Sequence, residues 1–95
     1  MKMLMLVYSG SSPQRIAALL DRHDAGHTQF DNAHGTGRTG PREGSRAWPG
    51  ESTLFVSVVP DALAHDLTKD LRGATADLRA GERLHVAVLP AETFF

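Results

Sequence analysis

Thr53-Leu-Phe-Val-Ser-Val-Val59 decides the fold. Seven residues dominated by β-branched and aromatic side chains, stopped by Pro60, read as a strand. Alternation puts Leu54, Val56 and Val58 on one face and Phe55, Ser57 and Val59 on the other. Both faces are apolar, so the sheet that holds this strand must be covered on both sides. The run Lys2-Met-Leu-Met-Leu-Val-Tyr8 repeats the pattern, with Met3, Met5 and Val7 opposing Leu4, Leu6 and Tyr8, and ends in the turn cluster Ser9-Gly10-Ser11-Ser12.

Working outward, Ser11 or Ser12 caps a helix with Pro13 in its first turn, Ile16, Leu19, Leu20 and His23 at helical spacing, and Gly26 as its stop. Thr28 to Ala33 is a weaker strand carrying Phe30. On the other side, Pro60-Asp61 opens a second helix in which Leu63, Leu67, Leu71, Ala74 and Leu78 recur by threes and fours. Gly73 weakens its middle by about 1 kcal/mol, and it ends before Gly81. Leu84 to Leu89 forms the last strand, closed by Pro90. The segment Ala91-Glu-Thr-Phe-Phe95 carries two aromatic rings and is expected to dock. The order strand, helix, strand, strand, helix, strand predicts an α+β fold, a ferredoxin-like βαββαβ sandwich. Its four-stranded antiparallel sheet carries both helices on one face, in a single domain over residues 1–95. The other face is apolar too, and a second copy of the chain is its simplest cover.

The balance of 10 basic and 11 acidic residues leaves a net charge of −1, which gives no global field for nucleic acid or an anionic membrane. Without cysteine there is neither a disulfide framework nor a thiolate metal site. No apolar stretch is long enough to span a bilayer. The opening Met1-Lys2 run is too short and wrongly flanked for a signal peptide, so a cytoplasmic location is expected.

Between the second and third strands lies the connection His34 to Glu51, with five glycines, two prolines and the cations Arg38, Arg42 and Arg46. Guanidinium forks pair with phosphate or carboxylate oxygens, and successive glycine N–H groups form anion-binding nests. Structureless connections of this length are uncommon unless functional or disordered. A clamp for a small anion is the functional reading, and a soluble hairpin the plain one. Trp48 either stacks on a base or anchors the loop to the oligomer, and packing is the commoner use of a lone tryptophan.

The pattern Gly35-x-Gly37-x-x-Gly40-Pro41-Arg42-x-Gly44-x-x-x-Trp48-Pro49-Gly50-Glu51, placed between strands two and three of this fold, resembles the P-II-like signalling proteins. The resemblance spans nearly the whole chain. It implies a homotrimer with its sheets turned inward and an adenine nucleotide or similar anion in the clefts between subunits. The effector-binding residues would be Gly35, Gly37, Arg38, Gly40, Arg42, Gly44, Arg46, Trp48, Gly50 and Glu51. The long loop would reach a regulated transporter or enzyme. Some members bind bicarbonate, and small relatives accompany heavy-metal efflux systems. Two departures stand out. Only Arg79-Ala-Gly81-Glu-Arg83 replaces the glycine-rich basic segment that grips phosphate before the last strand, which weighs against a triphosphate. The only tyrosine, Tyr8, lies in the first strand rather than the loop, which weighs against modification there.

Two other chemistries compete. His23, His27, His34, His65 and His85, with Asp24 or Asp31, offer ligands for a histidine-based metal-binding regulator. Their spacing is poor, however, and scattered surface histidine is the plainer reading. Gly10 to Arg15 and Asn32 supply the residue types of an acylphosphatase-like hydrolase. Pro13 removes one donor from such a cradle, and serines at a helix start serve for capping alone. No nucleophile with an adjacent base is evident, so the chain is read as non-enzymatic.

Overall fold

Two apolar strands take the middle of the sheet and two helices cover one side of it. The computed structural model describes residues 1–35 and 52–95. Its elements are β1 (Lys2–Ser9), α1 (Pro13–Arg22), β2 (Thr28–Ala33), β3 (Ser52–Val59), α2 (Asp61–Ala76) and β4 (Arg83–Pro90). The sheet order is β2-β3-β1-β4, and every pairing is antiparallel. This is the βαββαβ sandwich expected from the sequence.

Register fixes what each face carries. Leu4 lies opposite Ser57 and Val88, and Leu6 opposite Phe55 and Val86. Leu4, Leu6, Tyr8, Phe55 and Val59 are buried beneath Ile16, Leu19 and Leu20 of α1 and Ala64, Leu67 and Leu71 of α2. Ser57 is a polar intruder among them, and its hydroxyl donates to the Gly26 carbonyl at 2.7 Å, so its burial leaves no unmet group. The opposite face carries Met3, Met5, Val7, Phe30, Leu54, Val56, Val58, Ala87 and Leu89, of which Val7, Phe30 and Leu89 are well exposed. The uncovered apolar face is therefore present as expected.

Three local expectations change. Ser12 occupies the cap position of α1, but its side chain makes no capping bond, and its N–H donates instead to the Tyr8 hydroxyl. Helix α1 stops at Arg22 rather than at Gly26. Asp24 takes the left-handed conformation (φ 56°), and the Ala25 N–H returns to the Leu20 carbonyl at 3.0 Å, closing the orphaned end of the helix. Finally, Ala91 joins the ladder through the Met1 carbonyl, but the two aromatic rings that follow it stay exposed on this subunit. Phe94 and Phe95 are 61% and 109% exposed.

Candidate functional site

β1 and β2 end where β3 and β4 begin, so the 10–12 turn, the 77–82 turn and the described residues at either end of the 34–51 connection, His34 and Gly35 on one side and Ser52 on the other, share one end of the sheet. The strands are tied there. Tyr8 is opposite Thr53 on one side and Leu84 on the other, Ser9 is opposite Arg83, and Ala33 pairs with Ser52. The Ser9 and Ser52 hydroxyls are 2.9 Å apart, joining the end of β1 to the first residue after the long connection.

Below this rim sits a part-buried charged network. The Glu82 side chain is only 6% exposed and accepts from the Arg79 N–H at 2.7 Å, from Arg15 Nη1 at 2.8 and 3.1 Å, and from the Tyr8 hydroxyl. The Tyr8 hydroxyl accepts in turn from the Ser12 N–H at 3.0 Å. The Arg79 N–H, then the Tyr8 hydroxyl and the Arg15 guanidinium, hold the Glu82 carboxyl at about 2. Burial, followed by the bond to Glu82, raises Tyr8 above its usual value. Gly10 makes room for this arrangement, since at φ +155° a Cβ would stand 2.5 Å from the Tyr8 hydroxyl. A carboxylate with this many donors is a satisfied structural anion, not a poised base.

Of the residues expected to bind an effector, Gly35 lies just past β2, exposed and with open space around it. Gly37, Arg38, Gly40, Arg42, Gly44, Arg46, Trp48, Gly50 and Glu51 lie outside the described residues. The histidines scatter. His23 meets Asp70 of α2 at 2.7 Å, His27 contacts the Ala25 carbonyl and packs edge-on to Phe55, and His34, His65 and His85 are exposed. Asp31 accepts from Gln29. Among the described residues no three His, Asp or Glu side chains gather to hold a metal. The hydrolase set is otherwise engaged, since Arg15 is bound to Glu82, the Ser12 N–H to Tyr8, and Asn32 (φ 59°) sits in the irregular stretch of β2.

Sequence reading missed the Tyr8–Glu82–Arg15 network. Tyr8 with Gly10 two residues on, and the Gly81-Glu82-Arg83 turn, were its signals, but Tyr8 and Glu82 lie 74 residues apart, and the β1–β4 register brings them together.

Solved structures share this architecture. CPII from Thiomonas intermedia K12, a nitrogen regulatory PII-like protein, in its apo form superposes with a TM-score of 0.64 at 18% identity, over 93% of this chain and 87% of that one. The same protein bound to ADP, AMP and bicarbonate gives 0.61 at 19% identity, over 93% and 86%. The chain has the PII-like fold. A functionally unknown protein from Pediococcus pentosaceus ATCC 25745 shares that fold as well, with a TM-score of 0.65 at 12% identity over 99% of this chain and 94% of that one. No protein-family profile matches the sequence, and no curated protein is similar to it in sequence. Among the described residues no helix is long and apolar enough to cross a membrane, so the PII-like sandwich here carries no helical span.

Proposed function

We propose that this chain is a non-enzymatic PII-like regulatory protein of the cytoplasm, a homotrimer that binds a small anionic effector in the clefts between its subunits. The effector is an adenine nucleotide or a similar anion, and the 34–51 loop carries the signal to a regulated transporter or enzyme. The observation that carries this reading is the PII-like fold across nearly the whole chain, shared with a protein solved with ADP, AMP and bicarbonate. Three features of this chain support it. The sheet face opposite the helices is apolar and partly exposed, which suits burial against other subunits. The 34–51 connection leaves from the end of the sheet where two other turns meet. That connection carries three arginines among five glycines. The absence of catalysis is argued from Arg15 and the Ser12 N–H, which are already bound within the protein.

Titration of ADP, AMP and bicarbonate into the purified protein, followed by calorimetry and thermal unfolding, tests the proposal. A ligand at about one hundred times its Kd adds about 2.7 kcal/mol of stability. The triple variant Arg38→Ala, Arg42→Ala, Arg46→Ala is expected to lose that gain while sedimenting as the native oligomer does. Unchanged affinity in the variant removes the clamp, and no response to any of the three ligands removes the effector assignment.

A further inference from the structure

A groove runs along the outer side of β4. It is lined by Leu71, Val86 and Val88, with Thr68, Thr75 and Arg72 of α2, and has a volume of about 210 Å³. An apolar cavity of about 150 Å³ accommodates benzene, so one phenyl ring fits here. The threonine hydroxyls do not ask for a polar ligand, because Thr68 donates to the Ala64 carbonyl and Thr75 to the Arg72 carbonyl, both at 2.7 Å. What remains is apolar, with Val88 43% exposed, and its one charged lining residue is Arg72. β4 is also an edge strand. Among the described residues it pairs only with β1, which leaves backbone donors and acceptors of its 86–88 stretch alongside the groove.

Residues 91–95 have the complementary chemistry. In an extended segment positions i and i+2 point the same way, so Glu92 and Phe94 share one side while Thr93 and Phe95 share the other. Phe94 and Phe95 find no cover on their own subunit. Ala91 donates to the Met1 carbonyl at 3.0 Å, which prolongs the β1–β4 ladder and carries the segment past the end of the sheet rather than back along the groove. We infer that residues 91–95 of one subunit add as a strand to the β4 edge of a second copy, with Phe94 in the groove and Glu92 beside Arg72. Phe95 then faces the apolar side of the sheet, where Ala87 and Leu89 lie. Such a contact joins two different patches, and interfaces of that kind form a ring where the rotation between copies closes, so it is compatible with a cyclic trimer and rests on the oligomer in the proposed function.

The test uses the full chain. Sedimentation across a concentration series compares native protein with Phe94→Asp, Arg72→Glu and the double variant Arg72→Glu, Glu92→Arg. Each single change is expected to raise the dissociation concentration at least tenfold with an unchanged circular dichroism spectrum, and the double variant to recover most of the loss. Because the chain has no cysteine, Thr75→Cys with Phe94→Cys gives a clean second readout, and oxidation is expected to link separate chains. An oligomer indifferent to Phe94→Asp, no recovery in the double variant, or a crosslink confined within one chain overturns the inference and leaves the proposed oligomer standing. Native protein that is monomeric at every concentration removes the oligomer itself.

Discussion

Tyr8→Phe is the most direct probe of the end of the sheet where β1 stops and β3 and β4 begin. The change keeps the ring, which is buried among Leu4, Leu6 and Leu84, and removes only the hydroxyl. That oxygen donates to Glu82 and accepts the Ser12 N–H at 3.0 Å. A net hydrogen bond contributes about 1 kcal/mol, and a donor left unpaired in a partly dry site costs about 1–3 kcal/mol. The loss is therefore about 2–4 kcal/mol, which for a domain of this size lowers Tm by roughly 10–20 °C. Urea and thermal melts at one fixed protein concentration measure it, since association also shifts Tm. The same measurements on Arg15→Ala and on the double variant complete a cycle. Both side chains act on one carboxylate, so the two losses should differ from additive by more than about 0.5 kcal/mol. A Tyr8→Phe loss under about 0.5 kcal/mol, or strict additivity with Arg15→Ala, refutes the view that these groups form one network.

Three further outcomes follow from the same geometry. Gly10→Ala should cost about 1–3 kcal/mol from its φ of +155° alone, and more from displacing the Tyr8 ring, read as a lowered Tm. Glu82 falls from an ordinary 4.5 to about 2 on folding, so the unfolded chain takes up the proton first. The contribution of Glu82 to stability is then fully present above about pH 5 and is lost as pH falls from 4.5 towards 2. Urea midpoints against pH should show a shallower acid slope in Glu82→Gln, with a remainder from Asp61 and Asp70, whose carboxyls are also lowered. Val56→Asp puts a charge in the middle of the open face, opposite Met5 and Thr28, and should yield a folded monomer by sedimentation. An intact oligomer in that variant would show that the face is not the interface.

The fold was legible because its signals are local. Alternation in Leu54–Val59 and Met3–Tyr8 marked the central strands, and the spacing of Leu63, Leu67 and Leu71 marked the helix that covers them. Errors arose where a non-glycine took a glycine's place or a side chain ignored its habitual partner. Asp24 turned the end of α1 instead of Gly26, and Ser12 offered its N–H to Tyr8 instead of its hydroxyl to the helix. Residues 91–95 were expected to dock, yet the core of the described residues closes without Phe94 and Phe95, because β1, β3 and the two helices already bury one another.

The site was less legible because its charges are paired across the fold. The short Arg79–Arg83 connection stood out only for lacking the glycine-rich phosphate grip of the P-II-like proteins. In three dimensions it supplies an anion of its own, and the donors that converge there, the Arg79 N–H, Arg15 and Tyr8, are taken by Glu82. An external anion would have to displace a carboxylate held by at least three donors and tethered in place. Tethering gives the internal ligand an effective concentration that a free one must outcompete. Under the proposed function, recognition of an effector would fall to the 34–51 arginines and a neighbouring subunit, while Arg15 holds the frame at this end of the sheet. Arg15→Ala should accordingly lower Tm and leave effector affinity, measured below the new Tm, within twofold of native. A tenfold loss of affinity at unchanged stability would move Arg15 from the frame to the ligand.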